Sequence, residues 1–460
     1  MNTLIVISIL GIVVLYLGLF KASKALLPVS VMGLLLALGL AVAEWNLNPA
    51  PIFKGMMLFD NFAIAFSAIT ILGTILILLL SKNYFEKISE NVAEYYTIIL
   101  FALAGIIVMV SYHNLSMLFI GIEIMSVSLY ILAGIKRRDF ASNEAALKYF
   151  LMGAFSTGFL LFGITLIYGS TLSFDLEVIK QYVLNNANGG INPMFYTGLS
   201  LMLIGLCFKI GAAPFHFWTP DVYEGSPTLI TAFMSTVVKT AGFAAFLRLF
   251  ITCFAPLADF WVPTLIVITT LTLFIGNITA LYQSSFKRML AYSSISHAGY
   301  MLFAIIGLGN AAINAVLVYA TAYTIASIIA FAVLILVKKQ TGTDNYEGFN
   351  GLAKKNPFVA FTLTIAMLSL AGIPLTAGFI GKFFMFSSAV AQYQIWLVVI
   401  AIINAIIGIF YYFRVIVAMY FKEGKDIILA TPIQFQFVLA LSTILTVVFG
   451  LYPSLIAGLF

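Results

Sequence analysis

Met289–Val337 reads MLAYSSISHAGYMLFAIIGLGNAAINAVLVYATAYTIASIIAFAVLILV, with no Asp, Glu, Lys or Arg anywhere in it. A helix facing water on one side needs a charged or polar face, and this stretch offers none that is charged. At about 1.5 Å per residue it is also too long for one crossing of a hydrocarbon layer about 30 Å thick. It is therefore read as two membrane-spanning helices, parted at Gly307–Asn310, where glycines and an asparagine favour a turn.

The rest of the chain follows the same rule. Of 460 residues, 62% are hydrophobic and 9% charged, against roughly 25% charged in soluble domains. With a mean hydropathy of +1.10, the apolar material exceeds what one water-facing core could hide. This excludes a water-soluble enzyme, a nucleic-acid binder and a disordered chain. The net charge of +6 has a simpler use in orienting membrane spans than in binding a polyanion, so no nucleic-acid partner is expected. Cys207 and Cys253 form no CxxC, and His113, His216 and His297 are too scattered for a haem or metal site. No cofactor, metal or redox centre is expected in this chain.

Only helices and closed barrels satisfy backbone hydrogen bonds in lipid, and the apolar runs are about twice a barrel strand in length. The fold class is all-α, a polytopic membrane protein with about fourteen transmembrane helices. Their approximate ranges are 3–20, 26–43, 58–80, 95–112, 115–134, 144–169, 195–213, 228–250, 261–283, 289–307, 311–337, 357–390, 394–421 and 433–457. No basic stretch precedes the first, and no small-residue cleavage site follows it, so it is expected to be retained as a span. No separate soluble domain is expected, because the longest loops, about 170–194 and 338–356, are short.

With this numbering of spans, Lys21, Lys24, Lys82, Lys87, Lys136, Arg137, Arg138, Lys287, Arg288, Lys338, Lys339, Lys354, Lys355, Lys422 and Lys425 fall on one side. Only Lys54 and Lys180 fall in loops on the other. Basic residues accumulate on the cytoplasmic side, so both termini are expected outside, with Trp45, Trp261 and Trp396 at the outer interface. Two spans carry internal breakers: Ala212-Ala213-Pro214 in the seventh, and Ala371-Gly372-Ile373-Pro374 in the twelfth. Paired interrupted helices in corresponding halves point to an inverted repeat with an ion path.

Charged side chains inside spans are costly, at about 2.5–3.5 kcal/mol or more, and so mark function. Lys239 lies near the centre of the eighth span, beyond the reach of a snorkelling stem, and Glu123 is central in the fifth. Lys209 precedes the first break and Lys382 follows the second. Lys148 lies one turn from Glu144 and also fits an ordinary i,i+4 pair. Arg248, Arg414 and Asp60 are read as interfacial anchors. His216 and His297 stand among residues able to hold water, and a neutral imidazole both donates and accepts. One acid and several amines spread along the membrane suit a line of protonatable stations. Desolvation can tune a lysine's hold on its proton, whereas arginine keeps its charge.

The run Phe208–Thr228, FKIGAAPFHFWTPDVYEGSPT, resembles the signature of the antiporter-like membrane subunits of respiratory complex I in their N-type branch. Gly121–Tyr130, Glu144–Phe150 and Lys287–His297 agree with it in order, and the resemblance covers roughly residues 55 to 420. It implies two inverted five-helix repeats, each with a broken helix. The expected division is 1–94 (first three helices and an inner loop), 95–253 (first repeat), 254–426 (second repeat) and 427–460 (last helix).

The resemblance further implies that Glu123 and Lys209 are an acid–lysine pair, and Lys239 the central lysine. Lys382 corresponds to the lysine near the outer exit, Lys148 to a sixth-helix lysine, and His216 and His297 to polar-axis histidines. Protons would pass from cytoplasm to periplasm, driven by quinone reduction elsewhere. NADH, FMN, iron–sulfur clusters and quinone would belong to other subunits, and the partners would be neighbouring antiporter-like and small membrane subunits in a bacterial inner (plasma) membrane. A multi-subunit cation/proton antiporter or membrane-bound hydrogenase would share these lysines and breaks, and a non-conducting structural subunit is the third reading.

Overall fold

A computed structural model describes residues 1–47, 50–82, 84–85, 88, 91–186, 189–390, 395–424 and 428–459. Lys87 and Lys425, two of the loop lysines used above, lie outside the described residues. The described chain is all-α, with isolated bridges and no named strand. Among the described residues, thirteen helices are long and apolar enough to cross a membrane. The twelfth span is made by two shorter helices in succession, which completes the expected fourteen.

The described residues form two compact units. The first comprises 1–210, 225–227 and 237–263. In it lie α1 (Asn2–Leu19), α2 (Ser23–Ala43), α3 (Asn61–Leu79), α4 (Val92–Val110), α5 (Leu115–Ala133), α6 (Phe140–Thr171), α7 (Leu176–Asn186) and α8 (Pro193–Ile210). Polar residues placed at helix starts define several boundaries: Asp60 accepts from the Ala63 amide, Asn114 from Ser116 and Asp139 from Ala141. Each satisfies an amide that the first helical turn leaves open. Helix α7 falls within the stretch 170–194, read above as a loop; it buries Leu176, Ile179 and Val183 along one short face.

The second unit comprises 211–224, 228–236 and 264–460. It holds α9 (Trp218–Gly225, except Gly225) and α10 (Thr228–Phe233). A π-turn at Met234–Val238 joins α10 to α11 (Lys239–Thr252), so one continuous helix runs from Thr228 to Thr252, and its later part belongs to the first unit. Then come α12 (Ala258–Leu281, shared between the units), α13 (Phe286–Ile306), α14 (Gly309–Thr341), α15 (Leu352–Lys355), α16 (Pro357–Ala371), α17 (Ala377–Val390), α18 (Ile395–Phe421) and α19 (Ile433–Leu451). The charge-free stretch is split where expected, with Gly307 closing α13 and Gly309 opening α14. Helix α14 has 33 residues, about 50 Å of rise, and its apolar span is wholly buried. It is packed by α13, α16, α17 and α19. Trp261, near the start of α12, is buried against the protein, and its indole donates to the Phe254 carbonyl at 2.8 Å.

Candidate functional site

The two breaks are built alike. Helix α8 stops at Ile210, and Gly211 follows with φ +72°; α16 stops at Ala371, and Gly372 follows with φ +85°. That left-handed backbone is costly for a residue with a Cβ, so glycine ends the helix and frees its last carbonyls. The chain resumes as a helix at Trp218 and at Ala377. In the first break the Ala213 amide donates to Thr272 Oγ1 at 2.9 Å. In the second the Gly378 amide donates to Ser369 Oγ at 3.1 Å.

In the first unit, Lys209 lies in the last turn of α8 and its ammonium donates to Ser126 Oγ of α5 at 2.9 Å. Ser126 in turn donates to the Ile122 carbonyl at 2.6 Å. Glu123, one turn before Ser126 on α5, has a buried Oε1 with no hydrogen-bond partner. The acid–lysine pair expected from the sequence is thus brought to one neighbourhood, but the hydrogen bond of the lysine goes to a serine. Lys239 follows the π-turn and is 3% exposed, in a span buried from Thr228 to Phe250. It stands 11 residues from Thr228 and 13 from Thr252 (239 − 228 and 252 − 239). Its Cα is therefore about 16 Å and 20 Å of helix from the two ends. Lys148 pairs with Glu144 at 2.8 Å on an outward face, its side chain 41% exposed, as an i,i+4 pair would be.

In the second unit, Lys382 of α17 is 7% exposed and reaches back across the break. Its ammonium donates to the Leu370 and Ala371 carbonyls at 3.2 and 2.8 Å. The negative end of α16 is a favourable place for a cation, and the Tyr300 ring 4.8 Å away adds a cation–π contact. His216 is buried within the first break, with an unpartnered Nδ1. His297 is buried on α13 and bonded through both ring nitrogens to tyrosine hydroxyls, Tyr319 and Tyr412. At the start of α13, Arg288 pairs with Asp221 at 3.2 Å and with Glu224, while Lys287 donates to the Glu224 carbonyl at 2.8 Å. These bonds tie the short helix after the first break to α13.

Several of these partners were missed by sequence reading. Ser126 and the tyrosines around His297 are neutral, so the charge pattern gave no signal for them. Arg248 and Asp60, read as separate anchors, form a bidentate pair at 2.6 and 3.1 Å, with Arg248 also over the Phe62 ring at 4.6 Å. Arg414 donates to the Gln283 carbonyl at 3.1 Å. Chemically, each unit offers buried or half-buried groups able to take and release protons: amines in the first, and an amine and two imidazoles in the second.

Residues 111–408 match the family described as NADH:quinone oxidoreductase/Mrp antiporter, TM. NADH-quinone oxidoreductase subunit N of Flavobacterium psychrophilum is 44% identical over 462 residues, covering 100% of each chain. The protein of the same description in Cytophaga hutchinsonii is 41% identical, covering 99% of this chain and 98% of its own. Among solved structures, a chain of respiratory complex I from Thermus thermophilus superposes with a TM-score of 0.84 at 32% identity, over 98% of both chains. With a family match over most of its length and relatives aligned from end to end, the chain belongs to the antiporter-like membrane subunits of NADH:quinone oxidoreductase, complex I, in the branch of subunit N.

Proposed function

We propose that this subunit carries protons from the cytoplasm to the periplasm through its own buried side chains, using energy released by quinone reduction in other subunits. Protons rise to Lys239 from the cytoplasmic side, pass by way of His297 to Lys382, and leave on the outer side. Glu123 and Lys209 form the electrostatic switch: Lys209 held near the acid keeps its proton, and separation favours release. His216 serves the first break as a relay, and Lys148 lies at the margin of the route in its pair with Glu144. The repeats are taken as 95–253 and 254–426, and both termini as periplasmic in a bacterial inner membrane. NADH, FMN, iron–sulfur clusters and quinone are taken to reside in other subunits.

The observation that carries this reading is Lys239, 3% exposed and more than ten residues from either end of a buried span. An amine at that depth is expensive to keep for packing alone. The Flavobacterium psychrophilum and Cytophaga hutchinsonii relatives, aligned end to end at 44% and 41% identity and described as subunit N of NADH-quinone oxidoreductase, favour complex I over a cation/proton antiporter. A structural reading draws on Lys382, whose two carbonyl bonds would also suit a clamp across the helix break. The test is NADH-driven proton uptake by membrane vesicles carrying Lys239→Ala or Glu123→Gln in the assembled complex. Loss of coupled pumping is expected in both, and full pumping in both would overturn the reading.

A further inference from the structure

His297 stands within a group of buried phenols drawn from other helices of the second unit. Its Nδ1 is hydrogen-bonded to Tyr319 of α14 and its Nε2 to Tyr412 of α18, the latter at 2.9 Å; Tyr412 is bonded onward to Ser293, one turn earlier on α13. All four side chains are 1–2% exposed. Tyr323 packs on the imidazole at 4.7 Å. Tyr411, beside Tyr412, is held by Asn277 at 2.9 Å. The far end of the group reaches the neighbourhood of Lys382. Tyr319 packs so closely on Gly381 that a Cβ there would lie 2.6 Å from its Cδ2, and Tyr300 stands 6.1 Å from His297 with the Lys382 ammonium over its ring.

Phenols in place of phenylalanines at these positions require explanation, because each hydroxyl must recover in a hydrogen bond what burial takes away. A neutral imidazole carries one donor and one acceptor nitrogen. With a hydroxyl at each nitrogen, one tyrosine must donate and the other accept, so the chain Ser293, Tyr412, His297, Tyr319 has a sense of direction. Resting on the proton-carrying function proposed above, we infer that Tyr412 and Tyr319 are relay residues that deliver protons to His297 and take them from it toward Lys382.

The step balances at each link. Tyr412 gives its hydroxyl proton to Nε2 as it takes one from Ser293. Nδ1 gives its proton to Tyr319, whose own hydroxyl proton is taken up by the unprotonated amine of Lys382, which becomes the ammonium. Ser293 regains a proton from the one arriving along the route proposed above, so at Ser293, Tyr412, His297 and Tyr319 one O–H or N–H bond breaks and one forms, and each is left neutral. The passage reverses the direction of all the hydrogen bonds, and rotation of the hydroxyls with exchange of the imidazole tautomer resets them.

The test uses the assembled complex in membrane vesicles with Tyr319→Phe, Tyr412→Phe and, in parallel, Lys239→Ala. NADH-driven proton uptake is measured in H2O and D2O. Each phenylalanine, which keeps the ring and loses the hydroxyl, is expected to slow uptake about tenfold or more and to change the solvent isotope effect. Fluorotyrosine at either position restores the hydroxyl with a more acidic phenol; it is expected to restore uptake with a pH profile displaced toward acid. A merely structural tyrosine would give no displacement. Wild-type uptake and isotope effect in both phenylalanine variants, or an undisplaced profile with fluorotyrosine, overturns the relay. If Lys239→Ala stops uptake while the phenylalanine variants do not, the relay alone falls; if Lys239→Ala pumps fully, the underlying proton route falls.

Discussion

Lys382 presents the sharpest ambiguity at the level of single residues, because its ammonium is both a candidate proton carrier and a cap on two freed carbonyls. Arginine separates the two roles: it can donate to the same carbonyls and remain over Tyr300, yet it does not release its proton in the working range. Lys382→Arg is therefore expected to assemble and hold the break while losing proton uptake, measured in vesicles beside the amount of assembled complex. A variant that assembles and pumps normally would leave Lys382 with the clamp alone. Outside the spans, the Asp344 carboxyl is pushed up by burial, but the Lys338 ammonium, bonded to it at 2.9 Å, and the charge of Lys287 more than offset this and hold it below the usual carboxylate range. A carboxyl lowered on folding contributes stability that is complete above its unfolded pKa and is lost as pH falls through the lowered one. Asp344→Asn should therefore reduce the thermal midpoint at neutral pH and make little difference in acid below the carboxylate range, a comparison readable by thermal unfolding at the two pH values.

Among elements, the two broken helices were the most legible in the sequence and the π-turn the least. Glycine and proline announce a break because their backbone limits are intrinsic, so Ala212-Ala213-Pro214 and Ala371-Gly372-Ile373-Pro374 could be placed without knowing any partner. Met234–Val238 contains no such residue, and its widened turn reflects packing that the local sequence does not encode. Helix α7 escaped for a different reason: three buried apolar residues in 11 are too few to set a period against a polar background. Contacts were harder still, since Lys209 meets Ser126 across 83 positions and His297 meets Tyr412 across 115. Charge alone could nominate Lys209 and Lys382, but not say that one would reach a serine and the other a pair of carbonyls. The second break also yields an element-scale prediction. A Cβ on Gly372 would lie 2.8 Å from Lys382 Cδ and 3.1 Å from its Nζ, on a backbone that disfavours any side chain. Gly372→Ala, which changes no charge, is expected to cost about 1–2 kcal/mol in backbone strain and to push the ammonium off its carbonyls. Reduced proton uptake together with a lowered thermal midpoint would bear this out; unchanged uptake would mean that the seat of Lys382 is not needed.

For the molecule as a whole, a proton-translocating membrane subunit of complex I has to join deep groups that lie far apart in sequence into one function. Lys239 belongs to the first compact unit, and His297 and Lys382 to the second. If all protons pass both lysines in turn, the stations act in series. Removing one of them closes the route, and removing the other afterwards has nothing left to close. If the two units instead conduct separately, each loss takes away its own share and the double variant falls to their combined effect. Groups that act as one functional unit show this kind of non-additivity, whereas distant and independent sites add. The double variant Lys239→Ala, Lys382→Ala is therefore expected to pump no worse than the more impaired of the two single variants, with all three compared at equal content of assembled complex. Multiplied losses, with each single variant retaining a substantial fraction of uptake, would replace one continuous route with two.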